Sequence, residues 1–235
     1  MTAAPRGPRL VAVPGLGLSA AVPQHTLDRL PRPSAVVELP CFGRPAPRGT
    51  ALDPGSLARL LLARLDERGL ARDGDAAVLL GHSASCQIVV AAAAVAPQRV
   101  AGLVLVGPTT DPRARGWPAL AARWLRTAAH ERPGQVPQLV RDYAHTGPGS
   151  MLRGMAAARR HRIDRALGAV RCPVLVVRGR HDRIAPRDWT EALAAVAPRG
   201  RAQTLPAGGH MVPITHPAAL ASAVGAFLGS PSVSI

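Results

Sequence analysis

Four short runs, Leu10–Val13, Ala76–Leu80, Leu103–Val106 and Val174–Val177, are apolar at every position. A strand with one face in water alternates apolar and polar residues, whereas a strand buried on both faces does not. The runs therefore predict a parallel sheet flanked by helices, an α/β fold. Helical stretches separate them. Within 56–68, Leu57, Leu60, Leu61 and Leu65 recur at three- and four-residue spacing, the period of a helix face. Asp53 suits an N-cap, Pro54 the first helical position and Gly69 the stop. Cys86–Ala96 is apolar nearly all round, which predicts a buried helix. Ala35–Leu39 and Gln203–Leu205 read as two further strands, and Pro217–Leu228 as a last helix.

The rhythm changes after Val106. Ala119–Ala129, Val136–His145 and Met151–Arg160 follow one another as helices with no strand between them. The expected division is a core of 1–107 and 172–235 that carries a helical cap insertion at 108–171.

A serine, a histidine and a carboxylate fall at the carboxyl ends of these strands. Gly81-His82-Ser83-Ala84-Ser85 joins a buried strand to a buried helix. A serine there sits on a sharp turn that needs small neighbours, because the strand and helix backbones pass close together. Ser83 needs a base to act as a nucleophile near neutral pH. Of eight histidines, His210 lies in a loop after the last weak strand, where sheet proteins place ligands and catalysts. His216 competes, but it directly precedes Pro217 at a helix entry. Two carboxylates lie just past strands after the elbow, Asp182 and Asp111. Asp182 is preferred because its strand immediately precedes that of His210. Asp111 before Pro112 also suits a turn. The N–H of Ala84 and, from the loop Pro14-Gly15-Leu16-Gly17, that of Leu16 would serve a developing oxyanion.

These residues carry a resemblance that spans nearly the whole chain. VPGLG, ELPCFGRP, GHSAS, GLVLVGP, CPVLVVRGRHDRIAP and PAGGHMVP follow in an order and spacing similar to those of the α/β-hydrolase superfamily. The resemblance implies the α/β-hydrolase fold with a helical cap, Ser83 as nucleophile, Asp182 as acid, His210 as base, and Leu16 and Ala84 at the oxyanion positions. The chain departs from the family with Pro14-Gly15 in place of His-Gly and Ser85 in place of the last elbow glycine. It also begins almost at the family's third strand. The implied activity is hydrolysis of an ester or thioester of a small or medium acyl substrate. The alternative is a non-hydrolytic member, either a lyase or cyclase or a binder of an acidic carrier protein. Phe42, Trp124 and Tyr143 are candidate substrate contacts. Trp117, Met151 and Met155 are further large side chains of the insertion.

Composition bounds the partners. The chain of 235 residues carries a net charge of +15, and all 29 of its basic Lys/Arg positions are arginine. Lysine and asparagine are absent, as in coding sequence of high GC content, so the charge need not reflect an acidic ligand. The arginines are scattered and aromatics make up 3%, which argues against nucleic acid. The densest group, Arg159, Arg160, Arg162 and Arg165, reads as a solvated helix face, with an acidic partner such as an acyl carrier protein as the alternative. No run approaches the roughly 20 apolar residues of a membrane span. Arg6 and Arg9 precede an apolar stretch to Val22, but Pro14, Gly15 and Gly17 interrupt it, so it reads as strand and loop rather than leader. Cys41, Cys86 and Cys172 are odd in number and far apart, which fits a reducing cytoplasm. No phosphate loop, nucleotide fingerprint or metal cluster is present, so no cofactor is expected.

Overall fold

The computed structural model describes residues 8–72 and 74–233, so Arg6 lies outside the described residues. Six parallel strands form the main sheet: β1 (Leu10–Val13), β2 (Ser34–Val36), β5 (Ala77–His82), β6 (Val100–Val106), β7 (Val174–Arg178) and β8 (Gly200–Thr204). Their spatial order is β2-β1-β5-β6-β7-β8. Two short strands, β3 (Leu39–Pro40) and β4 (Gly43–Arg44), pair apart from it. The helices are α1 (Ala21–Leu27), α2 (Pro54–Glu67), α3 (Ser85–Val95), α4 (Trp117–Ala128), α5 (Val136–Thr146), α6 (Pro148–Ala158), α7 (Ile163–Leu167), α8 (Arg187–Val196), α9 (Val212–Thr215) and α10 (Pro217–Leu228).

The uninterrupted apolar runs have a simple cause. Successive side chains leave a strand on opposite faces, and both faces are covered. Leu79, Leu103, Leu105 and Val176 pack on one side with Leu57 and Leu61 of α2, Ile88 of α3 and Leu193 of α8. Val78, Leu80, Val104 and Val177 pack on the other with Leu220, Val224 and Phe227 of α10. Asp53 caps α2 as its position predicts, accepting the Ser56 N–H at 2.9 Å.

Two strand expectations need correction. The run Ala35–Leu39 is not one strand. The main sheet keeps Ser34–Val36, and the chain then turns sharply at Cys41 (φ 69) to pair Leu39 with Gly43. Strand β8 covers Gly200–Thr204 rather than Gln203–Leu205. It pairs with a single neighbour, β7, and its side chains are largely exposed, so it lacks the apolar signal of the central strands. Between β6 and β7 the described chain forms four helices, α4 to α7, and no strand. Among the described residues no helix is long and apolar enough to cross a membrane.

Candidate active site

The chain leaves β1 for β2 on one side, whereas β5 continues to β6 on the other. The loops after β1 and β5 therefore diverge and open a crevice at the carboxyl ends, the position where open α/β sheets bind ligands. Val13 lies level with Gly81, His82 with Val106, and Val106 with Val177. The loops after these strands consequently emerge at one edge.

Ser83 occupies that edge with φ 58, a left-handed conformation uncommon for a side-chain-bearing residue. Its neighbours hold it there. A Cβ on Gly81 would lie 2.8 Å from both N and Cα of Cys86, so α3 starts too close to β5 for any side chain at that position. The Ser83 N–H donates to the Val106 carbonyl at 2.8 Å, which extends the sheet ladder into the turn. Ser85 fits where a glycine is usual because its hydroxyl is fully used. It accepts the His82 N–H at 2.8 Å and lies 2.9 Å from the carbonyls of Val13 and His82.

His210 meets Asp182 from the neighbouring loops. Nδ1 of His210 lies 2.8 Å from Oδ2 of Asp182, and both side chains are buried. The second carboxylate oxygen accepts the N–H groups of Ile184 and Ala185, each at 2.9 Å. Buried Arg178 donates to the carbonyls of Asp182 and Ala185 at 2.7 and 2.8 Å, which fixes the loop. Burial opposes charge on both partners, yet their mutual attraction prevails. His210 stands above the ordinary histidine value and Asp182 below the ordinary carboxylate value. Asp111 is elsewhere: it caps a short turn and pairs with Arg113 and Arg123. His216 contacts Thr215 at 3.0 Å.

Two residues that sequence reasoning passed over shape this pair. Gly107 (φ 54) closes β6, and a Cβ there would sit 3.0 Å from Asp182 Oδ2 and from two His210 ring atoms. His82 is buried and lines the same cavity as Ser83. Its Nε2–H donates to the His210 carbonyl at 3.0 Å, and the two rings lie 5.1 Å apart. Burial pulls its pKa down to about 3, so it is neutral near pH 7.

Ser83, His210 and Leu16 line one cavity of ≈ 270 Å³. Trp117, Trp124, Tyr143, Met151 and Met155 of the helical segment form its outer wall. Phe42 does not join them; it is buried in the core beside α2. Among the described residues the N–H groups of Leu16 and Ala84 engage no acceptor, whereas that of Gly17 is bound to the Cys41 carbonyl at 2.7 Å. Leu120, Ile184 and Met211 complete the apolar lining, and no local sequence signal marks them. The arrangement combines an elbow serine, a carboxylate-held imidazole and two uncommitted backbone donors beside an apolar chamber. Such groups can carry acyl transfer.

A family model described as alpha/beta hydrolase family matches residues 10–223. A stretch of the polyketide synthase ThaQ of Burkholderia thailandensis is 30% identical over 249 residues, covering 95% of this chain. The chain spans only 12% of that synthase. Among solved structures, a hydrolase from Pseudomonas aeruginosa is 24% identical with a TM-score of 0.74, covering 95% of this chain and 91% of that one. A hydrolase from Oleispira antarctica is 14% identical with a TM-score of 0.79, over 96% and 92% of the two chains. An enol-lactonase from Burkholderia xenovorans is 20% identical with a TM-score of 0.76, over 96% and 93%. At these identities the structural matches speak to the fold.

Proposed function

This chain belongs to the alpha/beta hydrolase family, and from that premise we propose that it is a serine hydrolase cleaving an ester or thioester through an acyl-enzyme. Ser83 Oγ attacks the acyl carbon while His210 Nε2 takes its proton. Asp182 holds the imidazole in the required tautomer and stabilises the imidazolium that forms. The N–H groups of Leu16 and Ala84 receive the oxyanion. His210 then returns the proton to the leaving oxygen or sulfur, and water repeats the sequence to release the acid. The helical segment 108–171 acts as a cap whose Trp124 and Tyr143 face the acyl chain. The three free cysteines suit a reducing, cytoplasmic setting.

One observation carries this reading: His210, held by buried Asp182, shares a cavity with a serine in a left-handed turn. The polyketide synthase match favours a thioester presented by an acyl carrier protein over a free ester. The test is covalent labelling by a fluorophosphonate together with p-nitrophenyl ester hydrolysis. Ser83→Ala is expected to abolish labelling and to lower turnover on the order of 10⁶-fold, the scale of losing a triad nucleophile. Near-normal turnover by a folded Ser83→Ala protein would remove Ser83 as the nucleophile. Product analysis on a thioester then separates hydrolysis from elimination or cyclisation.

A further inference from the structure

A second cavity of ≈ 290 Å³ adjoins the first. The two share Trp124, Tyr143, Ile184, His210 and Met211, but only the first is lined by Ser83 and Leu16. Val136, Leu139 and Gln135 belong to the second alone.

The chemistry distinguishes the two chambers. The acyl carbon bonds to Ser83 and its oxygen faces the Leu16 and Ala84 donors, so the acyl chain extends through the chamber that touches Ser83. When the C–O or C–S bond breaks, its electron pair goes to the leaving atom. That atom takes from His210 Nε2 the proton that Ser83 gave up on attack. The leaving group therefore departs on the histidine side, where the second chamber opens.

Its walls specify what fits. Val136, Leu139, Pro133 and Ala128 are apolar; Arg132 and Thr127 also line it, the Thr127 hydroxyl already bonded to the Arg123 carbonyl and the Arg183 N–H. Glu131 is committed: Oε1 accepts the Met211 N–H at 2.8 Å and Oε2 accepts Gln135 Nε2 at 3.2 Å. Gln135 is buried, and its Oε1 has no donor among the described residues. A buried acceptor without a partner is costly, and a ligand N–H would satisfy it. Building on the serine hydrolase reading, we propose that this second cavity binds the leaving alcohol or thiol, and that it takes an apolar chain bearing an amide N–H.

The test uses three thioesters of one acyl group, with methanethiol, pentanethiol or N-acetylcysteamine as leaving thiol. The last two match in length and differ by the amide. N-acetylcysteamine is expected to exceed pentanethiol about tenfold in kcat/KM, and Gln135→Leu to level the two. Leu139→Trp fills the chamber and is expected to lower both long thiols at least tenfold while sparing methanethiol. Val136→Trp, at an exposed position on the same wall, repeats the test if Leu139→Trp does not fold. Acyl-length preference, read with methanethiol constant, stays unchanged in these variants and shifts in Ala121→Trp, which narrows the first chamber. Crossed preferences, or folded Trp variants with no change in leaving-group preference, overturn the assignment. Equal rates for the amide and hydrocarbon thiols overturn the N–H requirement. Absence of both Ser83 labelling and thioester turnover in the unaltered enzyme would instead refute the hydrolase reading on which the assignment rests.

Discussion

Gly107 has no side chain, yet it sets the room available to the Asp182–His210 pair. A methyl group at this position meets three atoms of the pair at 3.0 Å, on a backbone with φ 54. Gly107→Ala is therefore expected to displace the imidazole and cost on the order of 10²-fold in kcat, since misplacing a catalytic group by about 1 Å has effects of that size. Unchanged kcat in a folded variant would refute this. The pH dependence follows from the same pair. An imidazole acts as a base only when neutral, and the pKa of His210, the proposed base, is raised. The acid limb of kcat/KM should therefore have its midpoint above roughly 6.5, the ordinary histidine value. Asp182→Asn should move that midpoint down, and an unmoved limb would refute the pairing's effect. Stability follows the opposite sense for the two histidines. The contribution of His210 is fully present below about pH 6.5 and lost as pH rises through its raised folded value. His82 is depressed to about 3. The unfolded chain thus binds a proton that the folded chain refuses between those limits, and stability falls as pH drops from about 6.5 to 3. The limiting slope is about 1.4 kcal/mol per pH unit. Denaturant titrations of His82→Gln should show a shallower acid slope, and an identical slope would exclude His82 as its source.

Elements explain which parts of the site were legible. The run from β5 through the elbow to α3 is contiguous, so its turn and small residues could be read directly from Gly81 to Ser85. Asp182 and His210 were legible for a related reason: each follows a strand, and the parallel sheet brings those strand ends to one edge. Phe42 stands apart from the site because the chain turns at Cys41 (φ 69) and the ring packs in the core, and neither feature shows in the local sequence. Glu131 was invisible because its contact with Met211 joins residues 80 apart in the chain. That contact ties the turn after α4 to the loop of His210, and the Glu131 charge also favours the protonated imidazole. Glu131→Ala should lower kcat about tenfold by leaving the Met211 N–H unpaired, a cost of roughly 1–3 kcal/mol. It should also move the acid limb down. Glu131→Gln keeps an acceptor, so kcat should recover while the limb stays lowered. A Gln variant that restores both would show that the charge has no part.

At the scale of the whole molecule, the sheet and the helical segment are held by different forces. The sheet buries large apolar side chains on both faces. The buried residues of α4, α5 and α6 are polar or small: Thr127 in α4, Asp142 and Thr146 in α5, and Ser150, Gly154 and Ala158 in α6. Helix α7 and its flank reach the apolar core through Ile163, Leu167 and Val170; α4, α5 and α6 bury little apolar surface and are tied to the loops of the core by hydrogen bonds. Asp142 accepts from Ser19 at 3.0 Å, Ser150 from the Ala46 N–H at 3.1 Å, and Thr127 from the Arg183 N–H at 3.0 Å. Helix α4 buries one residue, Thr127, the fewest of the three, and its Trp117 and Trp124 remain 43% and 52% exposed although both line the cavity. Few buried apolar contacts mean a low free energy of local opening. Amides of α4 should therefore exchange with solvent well before those of β5 and β6. A fluorophosphonate adduct on Ser83, whose alkyl chain fills the cavity, should slow that exchange. Trp124→Ala should shift melting by only a few degrees, since an exposed ring contributes little to the core. It should change relative kcat/KM between short and long acyl chains about tenfold, the scale of an apolar pocket contact. Large destabilisation with a flat acyl-length profile would make Trp124 a packing residue, and α4 exchanging as slowly as β5 would rule out its movement as a lid.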